Sequence, residues 1–252
     1  MRILMIGHGA MGSALAKGWA SAYELTVVDP FKEGCAKFEY LPPDYYPDVV
    51  VIAVKPQALE EIMPPYAKFK HCLFISIAAG VLTKRFKKWL GDDIRLARVM
   101  PNLPVVVKEG ACAYLLNENC TKADEEVVEA LLKKVGIFEK LKNEKLFDVV
   151  TALSGSGPAY VYYLCECLEI AGKELGLTED FARKFARQTI IGTAVTLKEL
   201  PEEDAPTLRA NVTSKGGTTE AALEVLMNKS SLQTLFSKAL RAACERSEEL
   251  AK

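Results

Sequence analysis

A glycine-rich turn near the start of the chain is the first candidate for chemistry. Gly7-His8-Gly9-Ala10-Met11-Gly12 follows an apolar run and precedes a helical pattern. In a G-x-G-x-x-G turn the first glycine permits a tight bend, the second lets a pyrophosphate approach the backbone, and the third lets helix and strand pack closely. The phosphates would bind the free N–H groups of the helix N-terminus. The turn predicts a dinucleotide site with His8 as a loop filler; the alternative is a glycine-rich turn without a ligand.

An acidic residue at the appropriate distance supports the dinucleotide interpretation. Asp29 ends the second strand pattern, where a carboxylate would bind the hydroxyls of the adenosine ribose. Asp29 favours NAD, because a carboxylate would repel the 2′-phosphate of NADP. Lys32 is close enough in sequence to offer that phosphate a counter-charge. The sequence therefore predicts NADPH or NADH as the cofactor and leaves the choice between them open.

Two later segments also follow strand patterns and are candidates to contact the cofactor. Ala53-Val54-Lys55-Pro56 comes after the most apolar strand, and ligands of such sheets bind beyond the carboxyl ends of the strands. Lys55 is therefore a candidate to face the cofactor, or else a solvated surface lysine. The small residues of Ser76-Ile77-Ala78-Ala79-Gly80 would leave room for a nicotinamide ring, or they could serve tight packing.

The second half of the chain has two segments rich in glycine and hydroxyl residues. They are Leu153-Ser154-Gly155-Ser156-Gly157-Pro158-Ala159-Tyr160 and Asn211-Val212-Thr213-Ser214-Lys215-Gly216-Gly217-Thr218-Thr219. Such residues before a helix form a concavity of backbone N–H groups that suits a small carboxylate. Ordinary helix capping is the alternative. The second segment has more glycines and hydroxyls than a cap requires.

The elements that position these segments divide the chain into an α/β part and a helical part. Residues 1–150 alternate strand and helix patterns, and the run Val49–Val54 is apolar at nearly every position, as in a parallel strand covered on both faces. This alternation predicts right-handed βαβ units in a Rossmann-type, doubly wound parallel sheet. The predicted strands are Arg2–Ile6, Glu24–Val28, Val49–Val54, Cys72–Ile77, Arg95–Met100, Ala111–Leu115 and Ile137–Glu139, and the predicted helices are Met11–Ala20, Leu59–Ala67, Thr83–Trp89 and Lys122–Lys134.

Residues 151–252 show helical spacing only. One helix starts at Ser156-Gly157-Pro158, a second runs from Thr178 to about Leu197, and a final one carries an apolar face from Leu232 onwards. The stretch Ile190–Val195 is apolar nearly all round, which is typical of a helix buried on several sides. We expect an all-helical domain that uses its excess apolar surface to dimerise.

Composition excludes several classes of function. The 32 Lys+Arg and 33 Asp+Glu give a net charge of −1 without a basic run, so no nucleic-acid partner is expected. No apolar run approaches the length of a membrane span or a signal-peptide core, so a cytoplasmic location is expected. The seven cysteines and two histidines form no metal-ligand pattern and argue against a histidine-dependent triad. The reactive group would then be a bound cofactor.

The order of the motifs closely resembles the pyrroline-5-carboxylate reductase family. The matching stretches are Ile6–Gly12, Ala53–Pro56, Ser76–Val81, Arg98–Asn102, Leu153–Tyr160 and Leu208–Leu223. The resemblance implies a Rossmann domain followed by a helical dimerisation domain. It also implies an oxidoreductase that reduces the cyclic imine 1-pyrroline-5-carboxylate to L-proline with NADPH or NADH, the last step of proline biosynthesis.

The resemblance also assigns roles to residues. It places Gly7 to Gly12 and Ala53 to Pro56 on the cofactor, with Asn211 and the segment Ile77, Ala78, Ala79 near the nicotinamide. It assigns Ser214, Gly217, Thr218 and Thr219 to the substrate, with Glu202 bordering that pocket and the Thr219 hydroxyl on the ring nitrogen as the catalytic contact. The chain departs from the family where Lys215 replaces a usual proline, Leu103 a usual threonine and Ala210 a usual aspartate.

Two other functions remain open from the sequence. A 2-hydroxyacid or β-hydroxyacid dehydrogenase would share both halves and would use a helical lysine as acid and base, for which Lys173 is available. A regulator that senses a dinucleotide without catalysis would need the glycine turn but not the Ser214–Thr219 segment.

Overall fold

The protein divides into two compact units. The computed structural model describes residues 1–36, 41–42, 44–229 and 231–250. One unit is Met1–Pro158 together with the end of the chain from Ala242, and the other is Ala159–Arg241. The sequence pattern places a boundary after residue 150 and does not indicate that the chain end joins the first unit. There the buried Ser247 donates a hydrogen bond from Oγ to Asp148 Oδ1 at 2.6 Å.

Seven strands of the first unit form a single sheet. Their order is β2-β1-β3-β4-β5-β6-β7. The bounds are Arg2–Ile6 (β1), Glu24–Val28 (β2), Val49–Ile52 (β3), Leu73–Ser76 (β4), Arg95–Met100 (β5), Gly110–Leu116 (β6) and Gly136–Lys140 (β7). The predicted Rossmann-type parallel sheet is confirmed from β1 to β5. Strand β6 runs antiparallel to β5, because only the short 3-10 helix Leu103–Val107 joins them and a parallel neighbour needs a longer crossover.

Helices cover both faces of this sheet. They are α1 (Ala10–Trp19), α2 (Leu59–Ile62), α3 (Thr83–Leu90), α4 (Lys122–Leu132) and α5 (Leu146–Val150). Ile3 and Met5 of β1 pack in one cluster with α1 and α4, whereas Leu4 and Ile6 pack in another with α2 and α3. Successive strand residues point to opposite faces, so this alternation buries the strand on both sides.

One predicted helix is shorter than expected. The pattern Leu59–Ala67 forms α2 only as far as Ile62, and a 3-10 helix, Pro64–Phe69, follows it. Two consecutive prolines at positions 64 and 65 explain the break, because proline lacks the N–H that continues a helix and clashes with the preceding turn.

The remaining helices are α6 (Gly157–Glu174), α7 (Glu179–Glu199), α8 (Ala205–Asn211), α9 (Thr218–Leu226) and α10 (Leu232–Leu250). Helices α6 and α10 cross the division between the units, and the others belong to the second unit. Among the described residues 159–241, only Ala182, Ala186 and Ser231 are buried. The expectation that Ile190–Val195 is buried on several sides is wrong for the single chain, in which Ile191 is 52% and Val195 50% exposed.

No helix among the described residues is long and apolar enough to cross a bilayer. Within the same residues, no group of three or more His, Cys, Asp and Glu side chains is arranged to hold a metal ion.

Candidate functional site

The glycine turn between β1 and α1 has the geometry that its sequence predicts. Gly7 has a φ of +95°, and a Cβ on it would lie 2.7 Å from the Ala53 carbonyl oxygen. A Cβ on Gly12 would lie 2.6 Å from the Gly7 carbonyl oxygen, so this glycine lets α1 pack against the turn. A Cβ on Gly9 would meet nothing within 4 Å. The turn is therefore closed on the sheet side and open above Gly9, where a pyrophosphate can approach.

The N-terminus of α1 offers unused hydrogen-bond donors. Gly9 is the N-cap and supplies no side-chain cap, and the first turn of the helix contains no acidic residue. Because the first N–H groups of a helix have no partner within it, those of Ala10, Met11 and Gly12 can bind an anion. The N–H of His8 is not among them, since it donates to Asp29 Oδ2 at 2.8 Å.

The His8 side chain has a buried polar atom that is not satisfied within the described residues. Its Nδ1 is buried and has no hydrogen-bond partner among the described residues. An imidazole nitrogen can donate or accept a hydrogen bond, and buried polar atoms are usually satisfied. A polar ligand group at the turn would satisfy Nδ1. The residues present thus fit a dinucleotide.

The end of β3 lies directly beside the glycine turn. Strand β1 lies between β2 and β3, so the chain places β2 on one side of β1 and then β3 on the other. Ligands of such sheets bind in the crevice at the point where the strand order reverses in this way. The Ala53 N–H donates to the Ile6 carbonyl oxygen at 2.8 Å, and Val54 approaches Gly7. Lys55 is exposed at the start of the 3-10 helix Pro56–Ala58 and forms no ion pair with any described residue. The structure therefore brings two of the predicted cofactor segments together.

The third segment continues along the same edge after β4. The Ile77 N–H donates to the Ile52 carbonyl oxygen at 3.1 Å, and the Ala78 N–H lies 3.3 Å from Ser76 Oγ. Ala78 is buried, Ala79 is exposed, and Gly80 has a φ of +71° that turns the chain away. Small side chains therefore occupy this part of the edge.

A partly buried ion pair supports this edge and is absent from the sequence-based site. Arg98 of β5 is 4% exposed, and its Nη1 donates to Glu144 Oε1 at 2.6 Å. The same oxygen accepts from the Thr83 N–H and hydroxyl, each at 2.8 Å, at the start of α3. Burial opposes ionisation of Glu144, but the bonds from Thr83 and Arg98 outweigh it and lower the pKa of the carboxyl. In the sequence, the charged Arg98 within the largely apolar β5 pattern was the signal that could have indicated this ion pair.

In the second unit, residues 214–217 form a type II turn. The Gly217 N–H donates to the Ser214 carbonyl oxygen at 3.0 Å, and Gly216 at the third position has a φ of +72°. Lys215 occupies the second position, where proline is favoured in such turns, so this turn forms without the rigid φ of a proline.

Helix α9 starts directly after this turn. Gly217 is its N-cap and no side chain caps it, so the N–H groups of Thr218, Thr219 and Glu220 have no helical partner. The Gly216 N–H donates to Glu220 Oε2 at 2.7 Å. The expected donor Gly217 is thus used within the turn, and the donors that remain lie one to three residues later. Thr219 is half-buried and its hydroxyl makes no hydrogen bond to a described residue.

Three other candidates have local partners. Asn211 Nδ2 donates to Glu203 Oε2 at 3.1 Å. Ser154 Oγ donates back to the Val150 carbonyl oxygen at 3.2 Å, as serine and threonine hydroxyls within helices often do. Lys173, the acid–base candidate of a hydroxyacid dehydrogenase, lies in the last turn of α6 with Nζ 3.9 Å from Glu179 Oε2.

Comparison with known proteins identifies the family. The chain is 36% identical to pyrroline-5-carboxylate reductase of Pseudomonas aeruginosa over 99% of its own length and 97% of that protein. The chain belongs to the pyrroline-5-carboxylate reductase family. The family model described as pyrroline-5-carboxylate reductase dimerisation matches residues 144–250. The resemblance inferred from the order of motifs is confirmed.

Solved members of the family have the same fold. A pyrroline-5-carboxylate reductase from Coxiella burnetii is 35% identical, with a TM-score of 0.89 over 99% of this chain and 98% of that one. Pyrroline carboxylate reductase from Plasmodium falciparum, solved with NADP bound, is 30% identical, with a TM-score of 0.85 over 100% of this chain and 98% of that one. The α/β fold class with a helical C-terminal domain is confirmed.

Proposed function

We propose that the protein reduces 1-pyrroline-5-carboxylate to L-proline with NADPH or NADH, as the last step of proline biosynthesis. The observation that carries this proposal is similarity over nearly the whole chain to enzymes of that name, at 36% identity for the Pseudomonas aeruginosa enzyme. When bound, the reduced nicotinamide supplies a hydride to the electrophilic carbon of the protonated C=N bond. The protein itself positions both reactants and holds the substrate charge.

The cofactor site consists of the turn and the strand ends beside it. The N–H groups at the start of α1 and the His8 imidazole bind the phosphates, Asp29 binds the adenosine ribose, and small residues after β4 accommodate the nicotinamide. The residues we assign to the cofactor are Gly7, His8, Gly9, Ala10, Met11, Gly12, Asp29, Ala53, Val54, Lys55, Pro56, Ile77, Ala78, Ala79 and Asn211.

The substrate site is the turn that precedes α9. The first-turn N–H groups of α9 bind the substrate carboxylate, with Ser214, Gly217, Thr218 and Thr219 as the substrate-binding residues. The Thr219 hydroxyl oxygen accepts a hydrogen bond from the ring N–H and stabilises the amine as it forms, which makes Thr219 the catalytic residue. No side chain with a displaced pKa is required for this step.

The test of the activity follows absorbance at 340 nm in two assays, one with NADPH or NADH and pyrroline-5-carboxylate, and one with NADP⁺ or NAD⁺ and 3-hydroxyisobutyrate. Oxidation of the cofactor with the imine alone is expected. Reduction of NADP⁺ or NAD⁺ by the hydroxyacid, without oxidation of the reduced cofactor by the imine, would select the dehydrogenase. No absorbance change in either assay would favour the regulator.

Substitution of Thr219 tests the proposed catalytic contact. Thr219→Val removes the hydroxyl at nearly constant volume and should lower kcat/KM by about five- to 150-fold, since one such hydrogen bond contributes about 1–3 kcal/mol. Thr219→Ser, which keeps the hydroxyl, should retain most of the activity. Equal kcat/KM for the Val variant and the wild type would remove the role of Thr219.

We further propose that the protein acts as a homo-oligomer in the cytoplasm. The match of residues 144–250 to a dimerisation model and the large exposed apolar side chains of the helical unit support the assembly. The proline-forming reaction needs only the cofactor and the small imine as ligands, without a metal, a nucleic acid or a membrane.

A further inference from the structure

The carboxylate of Asp29 is fixed by two loops at the cofactor edge of the sheet. Its Oδ2 accepts the His8 N–H of the glycine turn at 2.8 Å, and its Oδ1 accepts the Phe31 N–H at 3.0 Å. Asp29 directly follows the last residue of β2, and β2 is the neighbour of β1. The carboxylate therefore lies in hydrogen-bond contact with the turn that would bind the pyrophosphate.

From this geometry we infer that Asp29 makes the protein select NADH over NADPH. The inference rests on the proposed function because it places a nicotinamide dinucleotide at the glycine turn. Each carboxylate oxygen that accepts one N–H retains a further acceptor site, so both can accept hydrogen bonds from ribose hydroxyls. The 2′-phosphate of NADPH is negatively charged and its ionised oxygens only accept, so Asp29 repels it and cannot donate a bond to it.

The charges close to Asp29 in the described part of its loop do not compensate for this repulsion. Within residues 29–36 the charged side chains are Asp29, Lys32 and Glu33, which is one cation against two acids. The Lys32 backbone N–H lies 3.3 Å from the Asp29 carbonyl oxygen, and its exposed side chain forms no ion pair with any described residue. No arginine is present in this segment to bind a phosphate through two parallel hydrogen bonds.

Calorimetric titration of the full-length protein with NADH and with NADPH tests the inference without requiring turnover. The dissociation constant of NADH should be lower by about tenfold or more. Asp29→Ser should reduce the ratio of the two constants by about tenfold, mainly by tightening NADPH binding. Asp29→Asn removes the charge but keeps one side-chain acceptor oxygen, so it should move the ratio in the same direction. It provides the test if the Ser variant does not fold.

Two controls separate Asp29 from its neighbours. Glu33→Gln removes an exposed acid four residues away and should leave the ratio unchanged. Lys32→Gln should also leave it unchanged, whereas a loss of NADPH binding in that variant would assign the selectivity to Lys32. Tighter binding of NADPH by the wild type, or an unchanged ratio in both folded Asp29 variants, would overturn the inference.

The same experiment distinguishes this inference from the proposed function. Tight NADH binding without reduction of pyrroline-5-carboxylate would leave the Asp29 selectivity intact and remove the activity. Reduction of the imine with equal affinities for the two cofactors would support the activity and remove the Asp29 selectivity.

Discussion

Gly7 and Gly9 belong to one turn, but the space around them is different. Gly7 has a positive φ and its missing Cβ leaves room for the Ala53 carbonyl group, so the fold requires glycine there. Gly9 has an extended conformation, with φ −69° and ψ −171°, that any residue can adopt, and open space lies above it. At the residue scale, therefore, Gly7 is needed for the fold, whereas we propose that Gly9 is needed for the ligand.

This difference predicts opposite results for two alanine substitutions. Gly9→Ala should change the free energy of unfolding by less than about 1 kcal/mol, while its methyl group weakens NADH binding by about tenfold or more. Gly7→Ala should lower the free energy of unfolding by at least about 2 kcal/mol through backbone strain and overlap. Urea denaturation and calorimetric titration measure the two quantities. Unchanged NADH affinity in Gly9→Ala would contradict a pyrophosphate at this turn.

At the scale of elements, Glu144 connects three parts of the first unit. Its carboxylate accepts the N–H of Thr83 at the start of α3 and pairs with Arg98 of β5. Glu144 lies just before α5, in which the Phe147 ring lies under the Arg98 guanidinium, with Cζ 4.3 Å from the ring centroid. Helix α3 has no side-chain cap of its own, so Glu144 supplies the missing acceptor. This ion pair therefore stabilises the packing of α3 and α5 on the end of β5.

The lowered pKa of Glu144 predicts how this stabilisation depends on pH. A carboxyl whose pKa is lower in the folded state stabilises the fold above its unfolded pKa of about 4.3, and this contribution is lost as pH falls through the folded value. Glu144→Gln should lower the free energy of unfolding at pH 7 by about 1–3 kcal/mol, because Arg98 stays buried without its partner. The difference from the wild type should shrink below about pH 4.

Urea denaturation at pH 7 and below about pH 4 measures the loss of unfolding free energy in Glu144→Gln, and Glu118→Gln is the matched control. Glu118 also pairs with a lysine, Lys87, but it is exposed, so its replacement should have a much smaller effect. A difference between wild type and Glu144→Gln that does not change with pH would contradict the ionic role of Glu144.

At the scale of the whole molecule, the helical unit leaves too much apolar surface uncovered. Ile191, Val195, Phe181 and Phe185 of α7 are all exposed by 46% or more, and the two phenylalanine rings stack on each other with centroids 4.1 Å apart. Exposed apolar area of this kind marks an interaction surface. A second copy of the chain would bury it, in agreement with the dimerisation model that matches this region.

Sedimentation velocity should therefore detect a species of at least twice the mass of one chain. Ile191→Asp places a charge in the apolar stretch of α7 and should shift the protein toward monomer in a concentration-dependent way. Glu60→Gln, on an exposed position of α2 in the sheet unit, is the control and should sediment as the wild type does. A monomeric wild type at micromolar concentration would contradict the assembly.

Periodicity and glycine spacing predicted the strands and the turn, because both depend on residues that are neighbours in sequence. Five strand patterns up to Arg95–Met100 occur at their expected positions, with bounds shorter by up to two residues at β3. The direction of β6 was not predicted, because it depends on how residues 101–109 close the connection. The contact between the His8 N–H and the Asp29 carboxylate joins loops from two strands, so spacing alone did not indicate it.

The sequence by itself determined the fold class and the position of the glycine turn, because local patterns of apolar residues and glycines are sufficient for both. The family followed from the resemblance in the order of the motifs. The tertiary structure decided which polar groups of the candidate site are already paired. Each Asp29 carboxylate oxygen already accepts one N–H and the Gly217 N–H donates within its turn, while His8 Nδ1 and the Thr219 hydroxyl have no partner among the described residues. Whether a donor or acceptor is available to a ligand depends on which distant residues packing brings within about 3 Å of it.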